Sequence, residues 1–232
     1  MSAFVNPLQF GDPKDLENYP RTPVSDIEQA RLSGASLLWL PTYEEIYPGP
    51  ITQFDSGDLG AMYEGAFRKG HFSGMLTVVN RLFDLVQPRW AIFGEKDFQQ
   101  LFLIKKMVRD LGLDVEIIAV PTVRASNGLA ISSRNVRLRA QDIEVALVIY
   151  RALANASQMG TVELMQKELE ETLATEPDFA RDYSVIINEE DFSLATDETV
   201  SKRALIAGWV NGVRLIDTMS FSITPSTTGG VI

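Results

Sequence analysis

The sequence predicts an α/β chain: a parallel sheet layered with helices, followed by a smaller α+β unit. Three observations carry this prediction. Through the first half, short apolar runs bounded by turn formers alternate with segments of helical period, the rhythm of strands joined by crossover helices. The second half instead holds two amphipathic stretches and then three strand-like ones. The last two of these flank Asn211-Gly212, the strongest short hairpin signal a sequence can carry.

The elements follow in order. Ala3-Phe4-Val5 reads as the end of a strand, and Pro7-Leu8-Gln9-Phe10-Gly11-Asp12-Pro13 as a loop rich in turn formers. Ser25-Asp26 open a helix with Ile27, Ala30 and Leu32 on its apolar side, ended by Gly34. Ser36-Leu37-Leu38-Trp39-Leu40 reads as a short buried strand closed by Pro41, and residues 43–72 as loop. Residues 74–86 are helical, with Leu76, Val79, Leu82, Phe83 and Val86 on one face. A strand at 89–93, a helix at 98–111 and a strand at 115–120, ended by Pro121, complete a first domain spanning 1–123. Helices at 141–158 and 161–175, a strand at 183–187 and the hairpin strands 203–210 and 213–217 make a second domain, 124–223. The Ser/Thr/Gly-rich residues 224–232 are expected to form a flexible tail.

Composition removes several function classes. The 232 residues are 45% hydrophobic, enough for a real core, and their net charge of −10 lacks the basic footprint of a general nucleic-acid binder. Without cysteine there is no disulfide scaffold, thiolate metal site or thiol nucleophile. Any Ser-His-Asp triad would depend on His71, the single histidine. No apolar run approaches a membrane span. Met1-Ser2-Ala3-Phe4-Val5-Asn6-Pro7 has no basic segment leading into an apolar one. The expectation is a cytoplasmic protein with neither membrane nor nucleic-acid partners. Asn155-Ala156-Ser157 matches a glycosylation sequon, but by chance, within a predicted helix.

The chemistry concentrates in four loop segments. The most informative is Gly94-Glu95-Lys96-Asp97 with Gln100, placed where a strand ends and a helix begins. Open α/β sheets bind ligands at strand C-termini, and a helix N-terminus favours anions. The others are Phe4-Val5-Asn6-Pro7-Leu8-Gln9-Phe10, Glu64-Gly65-Ala66-Phe67-Arg68-Lys69-Gly70-His71-Phe72 and Gly128-Leu129-Ala130-Ile131-Ser132-Ser133-Arg134-Asn135. Lys96 supplies a point charge, Arg134 a fork that fits phosphate, and Ser132 and Ser133 hydroxyl donors. Asp97 could orient Lys96 or hold a ribose hydroxyl. Gln9 and Gln100 suit a small hydroxy acid, since neutral amides bond hydroxyls and carboxylate without adding charge. Blander roles are available to each. Glu95 and Asp97 could cap a helix, Ser132 could cap the helix toward the 140s, and Asn6 could cap its loop. Arg68 could pair at the surface, and His71 could be a structural hydrogen-bonder.

Taken in this order, with Tyr19-Pro20-Arg21-Thr22 and Arg214-Leu215-Ile216-Asp217, the segments resemble the pantoate–β-alanine ligase (pantothenate synthetase) family from Phe4 to about Met219. The resemblance implies a Rossmann-like nucleotidyltransferase domain, a smaller C-terminal lid domain and a homodimer. It implies that ATP, accompanied by Mg2+, activates pantoate as a pantoyl adenylate that β-alanine then attacks, releasing AMP and pyrophosphate. By the same resemblance, Gly94, Glu95, Lys96, Asp97, Val123, Ile131, Ser132, Ser133 and Arg134 contact ATP. Lys96, Ser132, Ser133 and Arg134 carry the catalysis, and Gln9 and Gln100 hold pantoate. No protein metal site is implied; Asp26 and Gln29 could offer oxygen ligands, but Ser25 stands where some relatives carry another acid.

The family also places a Pro-Thr-Met-Gly-x-Leu-His-x-Gly-His loop after its first strand, and no such segment occurs here. His71 lies in a different motif and does not replace it. The expectation is therefore a Rossmann-like domain that is N-terminally incomplete, with an exposed apolar sheet edge and fewer donors on the phosphates. Losing one such donor costs about 10²–10³ in rate. The alternative function is a truncated, catalytically impaired relative that retains ligand binding or dimerisation.

Overall fold

A computed structural model describes residues 1–222 except Asp12, Asn18 and Pro20. The expected tail at 224–232 and part of the Tyr19-Pro20-Arg21-Thr22 segment lie outside the described residues. Two compact units emerge: Met1–Ile92 with Gln99–Ile118, and Phe93–Phe98 with Ala119–Ile232.

The first unit is mainly helical. It holds α1 (Pro13–Glu17), α2 (Pro23–Leu32), α3 (Tyr43–Ile46), α4 (Glu64–Phe67), α5 (His71–Val86) and most of α6 (Phe98–Leu111). Phe72, Met75, Leu76 and Val79 of α5 are buried, as are Leu101, Ile104 and Met107 of α6. These spacings of three and four are the apolar stripe of an amphipathic helix. Strands β1 (Trp90–Gly94) and β2 (Glu116–Val120) flank α6 and pair as a parallel sheet. The border between the units runs through both strands.

Four expectations for this region need correction. Helix α5 begins at His71 rather than Gly74, because Gly70 takes a left-handed turn (φ 76°) just before it. Gly74 lies inside the helix for a packing reason: a Cβ there would sit 2.1 Å from the Leu8 carbonyl oxygen. Residues 36–40 are not a buried strand. They make one parallel bridge, Ser2 with Trp39, and Leu37 is 71% exposed. One bridge satisfies two backbone groups and forms no ladder. Helix α2 starts at Pro23, where proline suits a first turn, and only Ala30 of its expected apolar side is buried. Finally, 43–72 is not all loop. Thr42 and Glu45 form a reciprocal capping box that nucleates α3, with Thr42 Oγ1 accepting from the Glu45 N–H at 3.2 Å.

The second unit matches the expected α+β pattern closely. Helices α7 (Ala140–Ala156) and α8 (Val162–Ala174) precede an antiparallel sheet of order β3 (Phe179–Asn188), β4 (Ser201–Val210), β5 (Val213–Ser222). Asn211 and Gly212 both have positive φ (46° and 73°), the geometry of a type I′ hairpin turn. As the middle strand, β4 is buried continuously from Lys202 to Gly208. Its Ile206 and Val210 pack with Leu153 of α7, Leu169 of α8 and Leu215 of β5 in one core.

Candidate active site

Within the second unit, one cleft is lined by Lys96, Ser132, Arg134, Asn135, Arg214 and Asp217, with Ile149 and Tyr150 among its apolar walls. Lys96 and Arg134, 38 residues apart in sequence, thus face one cavity.

Each arm has a local cause. Residues Glu95–Asp97 form a 3-10 turn between β1 and α6, so Lys96 projects from a strand-to-helix corner. Gly94 has ordinary extended backbone, and a Cβ added there would meet nothing within 4 Å. Neither strain nor packing explains a glycine at that point, whereas a bare backbone leaves space for a ligand. On the other arm, Ala125 N–H donates to Leu129 O and Ile131 N–H to Val123 O, each at 2.9 Å, so 123–131 is a tight β-loop. Gly128 turns it at φ 95°, where a Cβ would strike the Tyr150 ring at 2.2 Å. Ser132 then caps a 3-10 turn, Ser133–Arg137, its Oγ accepting from Arg134 N–H at 3.2 Å. The cap predicted for the helix toward the 140s belongs to this turn instead; α7 follows Arg139 and is capped by Asp142.

The charges in the cleft differ in their commitments. Arg214 is paired with Asp182, Nε to Oδ2 at 2.7 Å. Asp217 is gripped by Arg124, whose Nη2 lies 3.0 Å from Oδ1. Lys96 makes no ion pair among the described residues, and Arg134 makes only a 3.4 Å bond to the Arg214 carbonyl. Two uncommitted cations and a serine hydroxyl in one cleft form a receptor for an anion.

The remaining residues predicted for the site are placed as follows. Glu95 is tied to Arg203 at 3.0 Å, and Asp97 is exposed. Val123, Ile131 and Ser133 are exposed along the β-loop and its turn. Gln9 and Gln100 belong to the first unit, half-buried, on a 3-10 turn (Pro7–Gln9) and on α6. Gln9 is held by neighbours: its backbone oxygen meets His71 Nδ1 at 3.0 Å, and Asn6 lies alongside, 3.4 Å from its amide. His71 is buried and serves as a hydrogen-bonder, with Arg68 on its other nitrogen at 3.0 Å. Asn6 does cap its turn, yet its side chain also donates to Gly74 O and accepts from Tyr47 Oη. Burial pushes the Tyr47 phenol up to about 12, so it stays a donor at neutral pH. Asp26 accepts from Thr22 Oγ1 at 3.1 Å on an exposed helix start.

A sequence-family profile described as pantoate-beta-alanine ligase matches residues 1–220. The chain belongs to the pantoate-beta-alanine ligase family. It is an enzyme of the ligase class by that membership. Among its relatives are the pantothenate synthetases of two strains of Thermus thermophilus. Each is 46% identical over 225 residues, 94% of this chain and 82% of theirs. The solved pantothenate synthetase of Thermus thermophilus superposes with a TM-score of 0.88 at 45% identity, covering 94% of this chain and 81% of that one. The pantoate-beta-alanine ligase of Francisella tularensis, complexed with beta-gamma ATP and beta-alanine, gives 0.75 at 34% identity, covering 94% and 77%. The parallel sheet with helices and the C-terminal antiparallel domain are thus those of pantothenate synthetase structures.

Reasoning from sequence missed Arg124, Tyr150 and Arg203, and singled out Asp217 only as part of the Arg214-Leu215-Ile216-Asp217 segment, without a role. One signal was available: Lys202-Arg203 opens a strand that is otherwise apolar. Charges inside a buried strand require partners, and Arg203 finds two carboxylates, Glu95 and Glu189.

Proposed function

We propose that this chain condenses pantoate with β-alanine at the expense of ATP, through a pantoyl adenylate. The observation that carries the reading is the cleft lined jointly by Lys96, Ser132 and Arg134, with both cations uncommitted. Family membership supplies the two substrates.

The chemistry runs in two displacements. A pantoate carboxylate oxygen attacks the α-phosphorus, the bond to the β-phosphate oxygen breaks, and pyrophosphate leaves. The β-alanine amine then attacks the acyl carbon, the carbon–oxygen bond to AMP breaks, and the amine gives up a proton. In the first step negative charge grows on phosphate oxygens. Preorganised donors aimed at that charge stabilise the transition state without reorganising. Lys96 supplies a point charge, Arg134 a planar fork and Ser132 a hydroxyl proton, the Ser132 oxygen being already engaged by its own turn. Ser133 and the backbone at Gly94, Glu95, Asp97, Val123 and Ile131 complete the nucleotide contacts in this reading, and Gln9 and Gln100 bind pantoate.

Mg2+ would be held chiefly by the ATP phosphates and would neutralise part of their charge. It needs only one or two protein carboxylates when phosphates supply the rest, and among the described residues no three His, Cys, Asp or Glu cluster as a metal cage. In this reading residues 1–123 bind nucleotide and pantoate, 124–223 form a lid, and the enzyme works as a cytoplasmic homodimer.

Pantoate-dependent exchange of labelled pyrophosphate into ATP tests the proposal. Wild-type protein catalyses it, and Lys96→Ala lowers it by about 10²–10³-fold, the cost of one such donor. Exchange unaffected by both Lys96→Ala and Arg134→Ala would remove the catalytic assignment. Binding of ATP and pantoate by wild type without exchange would instead favour a relative that only retains ligands.

A further inference from the structure

We propose that Arg203 is a positioning residue for Lys96. Arg203 is 3% exposed near the start of β4, and its guanidinium makes contact in four directions. Nη2 donates to Glu95 Oε2 at 3.0 Å and Nε to Glu189 Oε1 at 2.8 Å. Nη1 donates to Thr218 Oγ1 at 3.0 Å, and the plane lies 4.1 Å from the centroid of the Phe98 ring. Thr218 Oγ1 in turn donates to the Glu95 carbonyl at 3.3 Å, which closes a ring of Arg203, Thr218 and Glu95. Phe98 is backed by Phe192, stacked at 6.0 Å.

One guanidinium therefore holds both ends of a four-residue turn. Glu95 is fixed through its carboxylate and its backbone oxygen, and Phe98 through its ring. Between them lie only Lys96 and the exposed Asp97. A buried ion pair is seldom the most stable choice for a sheet interior, where apolar residues of similar size often do as well or better. What this one adds is direction. It pins the turn to β4 and β5 and leaves Lys96 facing the cleft with no ion pair among the described residues. Reacting groups lose about 100-fold in rate for a displacement near 1 Å, so the clamp acts on catalysis without touching substrate.

This inference rests on the proposed role of Lys96 in adenylation, and the experiment separates the two. Pantoate-dependent ATP–pyrophosphate exchange is measured for Arg203→Lys, Glu95→Gln and Lys96→Ala, and for the Lys96→Ala/Arg203→Lys double variant, with kcat and KM for ATP resolved. Thermal unfolding of each variant identifies folded protein. Lysine keeps the charge at 203 but has no fork to span Glu95, Glu189 and Thr218. Arg203→Lys is expected to lower kcat about 10- to 100-fold with a smaller change in KM. Glu95→Gln shifts kcat in the same direction and keeps the test available should Arg203→Lys fail to fold. In the Lys96→Ala background the Arg203→Lys change costs less than about twofold more, because its target is gone. Full multiplication of the two losses, or single variants within twofold of wild type, overturns the positioning role. An unchanged rate in Lys96→Ala overturns the adenylation reading itself.

Discussion

The two units of this chain bury their apolar residues to different degrees. In the C-terminal unit, Leu153, Leu169 and Ile206 are fully enclosed, and one core joins two helices to three strands. In the N-terminal unit, Val24, Leu32, Leu37 and Trp90 remain 53–82% exposed, although Ile46 of α3 and Leu101 and Ile104 of α6 are buried. The positions proposed to hold phosphate follow the first pattern. Lys96 and Arg134 stand in the unit with the closed core, Lys96 on a turn braced by the buried Arg203 and Arg134 just after a β-loop that the half-buried Arg124 ties to Asp217. Gln9 and Gln100 stand in the other. Anchoring by ion pairs thus accompanies the charged half of the proposed chemistry, where transition-state charge rewards fixed geometry.

Truncating an enclosed leucine of one unit and an exposed leucine of the other should separate the units most sharply. Leu153→Ala leaves a cavity among Leu169 and Ile206 and is expected to cost about 2–5 kcal/mol. Leu37→Ala, at a position 71% exposed, should fall within about 0.5 kcal/mol of wild type. Denaturant unfolding of both variants gives the comparison. A Leu37→Ala cost equal to that of Leu153→Ala would mean the N-terminal surface is energetically a core.

The same contrast governs what was legible in the sequence. Residues 98–111 and the helices at 141–158 and 161–175 were readable because burial matches their periodicity on one face, and the hairpin because Asn211-Gly212 carries its turn. Residues 36–40 were misread because apolar composition alone does not supply a ladder of neighbours. Helix α3 was overlooked although Thr42 and Glu45 carry the capping spacing, since four residues are too few to show a period. At the site, Lys96, Ser132 and Arg134 stood out because polar groups in glycine-bearing turns have chemistry to explain. Their supports did not. Arg124 meets Asp217 across 93 residues and Arg203 meets Glu95 across 108, and no local pattern encodes such pairings.

One tight place in the looser unit sharpens the comparison further. At Gly74, α5 passes so close to the Pro7–Gln9 turn that a Cβ would lie 2.1 Å from Leu8 O and 2.8 Å from Gln9 N. Both neighbours are backbone and cannot rotate away. Gly74→Ala is expected to cost about 1–3 kcal/mol, the usual range for overpacking, and to raise KM for pantoate more than KM for ATP by displacing Gln9. Equal changes in both constants would show that the turn does not serve pantoate.

The smallest expected effect is a pH dependence confined to the well-packed unit. Asp142 opens α7, 4% exposed, where it accepts from the Arg139 N–H and guanidinium at 2.9 Å and from Asn211 Nδ2 at 3.2 Å. The Arg139 side chain, then its backbone N–H, holds the Asp142 carboxyl well below the usual carboxylate range. A carboxyl depressed in the folded state contributes stability that is complete above its unfolded value, about 3.9, and disappears as pH falls from there toward the folded value. Asp142→Asn keeps the shape but not the charge. Its thermal midpoint should therefore lie below wild type at pH 7, and the gap should narrow on titration below about pH 4. Glu45, which caps α3 in the other unit, is exposed and bonds only the Thr42 N–H, at 2.7 Å. Glu45→Gln should leave the midpoint nearly parallel to wild type across the same range. If the two variants trace the same acid profile, the Arg139 bonds are not what lowers the Asp142 carboxyl.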